Sequence, residues 1–314
     1  IHLFLSGVKM ENFLAISDLS SSELEDLVDL AVNLKNSWRS GDNEAVLHNK
    51  VLAMVFQKPS LRTRVSFDMA MRHLGGDALY LSPNEIGLGK REAISDVSRV
   101  LSGYVDAIMA RVFAHDHILE LARFASVPVI NGLSDYNHPC QALADVLTIR
   151  EKFGSFENLK VAFVGDGNNV AISLLYSCAL LGMDFVIATP QGYELPKQAL
   201  EIAESLTVNN GSTITELNDP HAAVKGSNVI YTDTWVSMGQ EEEAKRREQV
   251  FPPFQINSTL LREADKDAIV MHCLPAHRGE EITDEVADGP QSMIFPQAEN
   301  RMHAQKAVLV KLLT

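Results

Sequence analysis

The sequence predicts an α/β protein of two domains, each a mostly parallel sheet flanked by helices. Three observations carry that expectation. Short apolar runs at 51–55, 106–110, 127–130, 160–164, 184–188, 228–232, 268–272 and 292–295 read as strands, and helical patterns separate most of them. A chain of 314 residues is long enough for two cores. The unusual polar residues fall just past the strand ends, where open parallel sheets bind their ligands.

Along the chain, Ser20 and Glu23 form a capping box ahead of Leu24, Leu27, Val28, Ala31 and Leu34, which recur at helical spacing. The run VLAMV ends in FQKPSLRTR (56–64), which leads into the helical pattern VSFDMAMRH. Pro139 suits the first position of another helix. That helix ends in EKFGSFENLK (151–160), the expected boundary between domains at 10–152 and 153–297. Ala298 to Leu313 reads as a final helix.

Acidic residues number 41 against 27 Lys plus Arg, for a net charge of −14. That balance argues against nucleic acid or an anionic membrane as partner. A basic cluster in such a chain points instead to a small anionic ligand. Cys140, Cys178 and Cys273 are scattered with no CxxC pair, so a disulfide framework and a zinc ribbon are not indicated and a reducing, cytoplasmic compartment fits. No apolar stretch reaches the ~18 residues that span a bilayer. The opening IHLFLSGVKMENF lacks a basic leader region and a cleavage pattern, and residues 1–9 are left outside the expected fold.

Six polar segments follow predicted strands: Ser60-Leu61-Arg62-Thr63, Arg111, NHPCQ, GDGNN, Asp233 and HCLPAHR. The first places hydroxyls and a guanidinium fork, with Lys58 and Arg64 close by, at a helix start, a setting suited to phosphate; a solvated surface loop is the plain alternative. His138 and Gln141 flank a helix start and can face the same crevice. GDGNN has Gly165 and Gly167, but Val170 stands where a dinucleotide fingerprint needs its third glycine, and FVIATP supplies no acid for a ribose. Asn168 and Asn169 suit a small polar ligand or a simple turn. Asp233 can pair with an ammonium. His272, Cys273 and His277 match no common zinc spacing, so no metal is expected.

Taken together, these segments resemble the aspartate/ornithine carbamoyltransferase family. SLRTR is similar to its S-T-R-T-R phosphate motif and HPCQALAD to its HPxQ motif. DTWVSMG, HCLPAHRG and QAENRMHAQKAVL resemble motifs of the ornithine branch, and the likeness covers about residues 13–314. The resemblance implies that Ser60, Leu61 through its backbone, Arg62, Thr63 and Arg111 hold the phosphate of carbamoyl phosphate. Thr63, Arg111 and His138 would surround its carbonyl oxygen. Gln141, Arg301 and the backbone at Cys273 and Leu274 would hold its amide. Asn169, Asp233, Ser237 and Met238 would bind the α-amino and α-carboxylate groups of L-ornithine, with Cys273 beside the attacking amine. It further implies a site between the two domains, a final helix (298–314) that returns to the first, no cofactor and a homotrimer or a multiple of trimers. The reaction implied is carbamoyl transfer to the δ-amine, in arginine synthesis or breakdown. A carbamoyltransferase for putrescine or an acylated ornithine, a dehydrogenase and a non-catalytic binding protein are the alternatives. Three positions depart from the family pattern: Leu61 for Thr, Gln57 for Glu, and Gly87 about where a Gln reaches a neighbouring subunit, with Lys90 as the candidate substitute.

Overall fold

The computed structural model describes residues 10–208, 210–236 and 241–314. Among them, the strands are β1 (Val51–Phe56), β2 (Asp77–Leu81), β3 (Ala107–Arg111), β4 (Val129–Leu133), β5 (Lys160–Val164), β6 (Asp184–Ala188), β7 (Ile214–Leu217), β8 (Val229–Thr232) and β9 (Ile269–His272). The helices are α1 (Ser21–Ser40), α2 (Leu61–His73), α3 (Pro83–Ile86), α4 (Ile94–Ser102), α5 (His115–Phe124), α6 (Pro139–Phe153), α7 (Asn169–Leu181), α8 (Lys197–Thr207), α9 (Pro220–Val224), α10 (Ala244–Val250), α11 (Ser258–Leu261), α12 (Asp284–Ala287) and α13 (Ile294–Leu313). The strands form two sheets, ordered β2-β1-β3-β4 and β7-β6-β5-β8-β9, and every pairing between them is parallel. No helix among the described residues is long and apolar enough to cross a membrane.

Local chemistry explains the main elements. The Ser20–Glu23 capping box closes on both sides, Glu23 N–H to Ser20 Oγ at 3.3 Å and Ser20 N–H to Glu23 Oε2 at 2.8 Å. Gly41 ends α1 at φ 82°, a left-handed value that a side chain resists. The apolar runs of β1, β3 and β5 are buried almost throughout, as strands covered on both faces must be. One continuous core passes from Leu52 and Met54 through Leu143 of α6 and Leu174 of α7 to Phe163 and Tyr231 of the second sheet.

Three expectations are corrected. The run at 292–295 is not a strand: Ser292 makes one isolated bridge to Val270, and α13 starts at Ile294. Pro296 lies in the first turn of that helix, where its missing N–H costs nothing. The final helix therefore begins four residues before the expected Ala298. Strands β2 and β7 were not foreseen: both are exposed or half-exposed along their length, ITEL has no apolar run, and the four-residue run ALYL of β2 was not read as a strand.

Helix α13 packs on α1, α2 and α6. Lys35 Nζ of α1 donates to Asn300 Oδ1 at 2.7 Å and to Glu151 of α6 at 2.8 Å, so one buried ammonium ties three helices. His303, fully buried beside Trp38, has no hydrogen-bond partner among the described residues. Burial and the nearby cations Lys306, Lys35 and Arg39 push its imidazole down from 6.5 to about 3, and Glu299 at 3.7 Å does not offset them. Between those two values the unfolded chain binds a proton that the folded chain refuses. Stability is therefore full above about pH 6.5 and falls as pH is lowered, by up to about 2 kcal/mol at pH 5 through this residue. Denaturant titrations at pH 7 and pH 5 check this: His303→Gln should lose less stability than wild type, and equal losses would contradict it.

Candidate active site

Each sheet reverses its winding once, between β1 and β3 and between β5 and β8. Chain leaving two neighbouring strands in opposite directions opens a crevice at their carboxyl ends. The two crevices form one cleft of about 1040 Å³, which Arg111, His138, Asn169, Asp233, Cys273 and Arg301 help to line.

On the first wall, Ser60 caps α2 in extended backbone, and its Oγ accepts the Thr63 N–H at 3.3 Å. The N–H groups of Leu61 and Arg62 have no acceptor among the described residues. They sit at the positive end of the helix dipole. The Leu61 side chain is 75% exposed, so that position can serve the cleft only through its backbone. Arg64 does not join the cleft: its guanidinium lies 4.0 Å from the centre of the Tyr80 ring. Arg111, the last residue of β3, is buried, and its Nε has no partner among the described residues. Burial, then repulsion from Arg301 and Arg62, pushes it down from 12.5 to about 10. It stays cationic at neutral pH, among like charges.

His138 caps α6 and is buried. Its N–H donates to Ser173 Oγ at 2.8 Å. Burial, then the charges of Arg301, Arg111, Lys58 and Arg62, holds its imidazole well below the ordinary 6.5, so the ring is neutral. Arg301 reaches in from α13. It donates to Gln141 Oε1 at 2.7 Å and to Thr63 Oγ1 at 3.4 Å. Gln141 donates in turn to Asp145 Oδ1 at 2.8 Å. Burial pushes Asp145 up to about 7, against the amides of Gln141 and Gln297 and the charge of Arg301.

The second wall carries the acid. Asp233 follows β8 and is buried; its Oδ2 accepts Asn168 Nδ2 at 2.8 Å, and its Oδ1 accepts the Cys273 thiol at 3.0 Å. Burial and the Asp233 charge raise the thiol well above 9, so Cys273 is a neutral donor. Asn168 also caps α7, accepting from Val170 and Ala171 N–H. Asn169 spends its Nδ2 on Ser134 O at 2.7 Å, which leaves its carbonyl oxygen to the cleft. Gly167 is required by packing: a Cβ there would lie 2.6 Å from the Glu194 carbonyl. Leu274 takes φ 60° and donates its N–H to His272 Nδ1 at 2.9 Å, so only its carbonyl can meet a ligand amide. His272 Nε2 contacts Glu281 Oε1 at 3.1 Å, so both ring nitrogens have hydrogen-bond partners, although one of them lies within 4.8 Å of the Asp233 and Cys273 side chains. Ser237 and Met238 lie outside the described residues.

Asn168 was expected as a small-ligand or turn residue, not as the partner of Asp233, and Asp145 was missing from the expected site. An amide beside a predicted strand end was a weak signal for the first. The i,i+4 spacing from Gln141 was a legible one for the second. At the departures, Gln57 joins loops, donating to Leu88 O at 3.0 Å and accepting Phe113 N–H at 2.8 Å. Gly87 ends α3 at φ 53°, where a Cβ would meet that of Arg91 at 2.8 Å. Lys90 is exposed in the turn that follows.

Two family models match this chain: the carbamoyl-P binding domain of aspartate/ornithine carbamoyltransferase over residues 11–151, and the Asp/Orn binding domain over residues 157–312. The chain belongs to the aspartate/ornithine carbamoyltransferase family. Within it, the chain is 53% identical to the ornithine carbamoyltransferase of Pyrococcus horikoshii over 98% of this chain and 97% of that one. It is 51% identical to that of Anoxybacillus flavithermus over 98% of both. The solved ornithine carbamoyltransferase of Pyrococcus furiosus superposes with a TM-score of 0.95 at 51% identity, covering 98% of this chain and 99% of that one.

The first wall should bind a phosphate anion without any second substrate. Arg62 lines the cleft, makes no hydrogen bond or ion pair to the described residues and repels Arg111 and Arg301, so Arg62→Ala should not lower the unliganded melting temperature. Inorganic phosphate at ten times its Kd should stabilise wild type by about 1.4 kcal/mol. In thermal denaturation the variant should lose most of that gain; an equal gain would remove Arg62 from the cradle.

Proposed function

We propose that this protein transfers the carbamoyl group of carbamoyl phosphate to the δ-amine of L-ornithine, giving L-citrulline and phosphate. One observation carries the reading: a single cleft sets a cation-rich helix start against a buried carboxylate and thiol. The first wall matches a phosphorylated acyl donor. The second matches an ammonium-bearing acceptor.

The amine is the nucleophile, and it must be neutral. A free amine of this kind titrates near ~10.4, so the site has to take it up deprotonated or remove its proton. Attack forms the C–N bond and puts negative charge on the carbonyl oxygen. Thr63, Arg111 and neutral His138 donate to that oxygen in this reading. Collapse breaks the C–O bond to phosphate, which leaves into the cradle of Ser60, Leu61, Arg62, Thr63 and Arg111 and is basic enough to accept the proton lost by the amine. Gln141, Arg301 and the carbonyl at Leu274 serve the carbamoyl amide. Asp233, held by Asn168, accepts the α-ammonium of ornithine; Asn169, Ser237 and Met238 are assigned to the same substrate from the family motif. Cys273, protonated, is a donor beside the amine and not a nucleophile. Positioning and preorganised charge supply the catalysis.

Leu61, Val65 and Met69 expose one apolar stripe along α2, and Leu79 is exposed on the edge strand β2. A second copy of this chain is the reading we give that surface, and a trimer the assembly. The three free cysteines fit a reducing, cytoplasmic compartment. A relative named anabolic favours a place in arginine synthesis.

A citrulline assay with purified protein tests the reaction. Ornithine should exceed putrescine by about 10- to 10⁴-fold in kcat/KM, since one or two hydrogen bonds to charged groups are lost with the carboxylate. Equal use of putrescine or of an N-acylated ornithine would overturn the substrate. Where chemistry limits the rate, activity should rise from pH 6 to 8 as the neutral amine fraction grows. A flat profile would overturn the mechanism.

A further inference from the structure

The proposed reaction does not call on Asp145, yet this carboxylate is fully buried four residues after Gln141. Its Oδ1 accepts two side-chain amides, Gln141 Nε2 at 2.8 Å and Gln297 Nε2 at 2.7 Å. Gln297 sits on α13, and its Oε1 accepts the His272 N–H at 2.9 Å, next to Cys273. A glutamine amide can turn end for end, exchanging a donor for an acceptor at little intrinsic cost. While Asp145 is ionised, neither glutamine can turn. Gln141 lies between a carboxylate, which only accepts when ionised, and the guanidinium of Arg301, which only donates. Its Nε2 must face Asp145, and its Oε1 must face Arg301 and the cleft. Gln297 is pinned the same way, between Asp145 and a backbone N–H.

We propose that Asp145 is a positioning residue that, by locking the Gln141 amide, presents an acceptor to the cleft and so makes the site selective for an acyl phosphate bearing NH₂ on its carbonyl. This inference rests on the carbamoyl-transfer reading. A carbonyl oxygen has two lone pairs, so Gln141 Oε1 can keep Arg301 and still accept from the NH₂ of the carbamoyl group. Turned round, Gln141 would set its own NH₂ against both. The acetyl analogue offers a methyl group in that place and gains nothing from the acceptor. Phosphate and carbonyl contacts are the same for the two ligands, so the difference between them reads the Gln141 amide alone.

The test uses Asp145→Asn, whose side chain has the same shape but can also donate, and Asp145→Leu, which cannot accept at all. In each, KM for carbamoyl phosphate and Ki for acetyl phosphate are measured by citrulline formation at fixed ornithine. KM should rise about 10- to 100-fold in Asp145→Leu and by less in Asp145→Asn. Ki for acetyl phosphate should stay within about twofold. If Asp145→Leu does not fold, the isosteric Asp145→Asn carries the test. Parallel losses for both ligands would show a merely structural role and overturn the inference, as would unchanged values for both. Wild-type protein that makes no citrulline would instead overturn the reading on which the inference rests.

Discussion

Arg301 enters the cleft from the last helix, where one Nη donates to Gln141 of α6 and the other to Thr63 of α2. Much of the site depends on that reach. The residue is carried 13 positions from the chain end, and α13 must lie against α1, α2 and α6 for it to arrive. Lys35, Glu151 and Asn300 hold the helix at that depth. The buried apolar side of α13, with Ala304, Val308 and Leu312, supplies the packing. A polar core along one face of a terminal helix is costly unless its groups are paired. Here that cost delivers a cation to the one point where the first half of the chain can use it.

The same residue raises the electrostatic cost of the empty cleft. Arg301, Arg111 and Arg62 repel one another, and with Lys58 they hold His138 neutral. Like charges shielded from water oppose one another. An anionic ligand relieves that repulsion, so the fold stores part of its ligand affinity as unfavourable charge. The acidic wall is kept apart: Asp233 is tied to Asn168 and Cys273 on its own side. Were it to pair with the arginines, both binding functions would be lost at once. The separation of the walls is therefore part of the chemistry.

Much of this arrangement was legible beforehand, and the failures have physical causes. Strands buried along most of their length read as apolar runs, so β1, β3, β4, β5, β6, β8 and β9 were found, the edge strands β4 and β9 among them. DALYL and ITEL are partly exposed: ITEL is broken by Thr215 and Glu216, and the short run ALYL was not read as a strand. SMIF is apolar because it packs on β9 and then opens a helix; apolarity alone cannot separate those roles. Arg64 stood next to the phosphate motif in sequence, but two residues along a helix is about 200° of turn, which sends it to Tyr80 and away from Arg62.

By itself the sequence determined the α/β alternation, the strand ends at which chemistry would gather, the acidic balance that points a basic loop toward a small anion, and the motifs of the family. Those properties are local: each is set by a residue and its neighbours along the chain. Tertiary structure alone decided that Arg301 and Thr63, 238 positions apart, share a hydrogen bond, that Asn168 and not Asn169 orients Asp233, and that Asp145 settles which end of Gln141 faces the cleft. These depend on which donor meets which acceptor across packed elements. A linear pattern carries periodicity and composition, but the direction of a hydrogen bond exists only once both partners have been brought together.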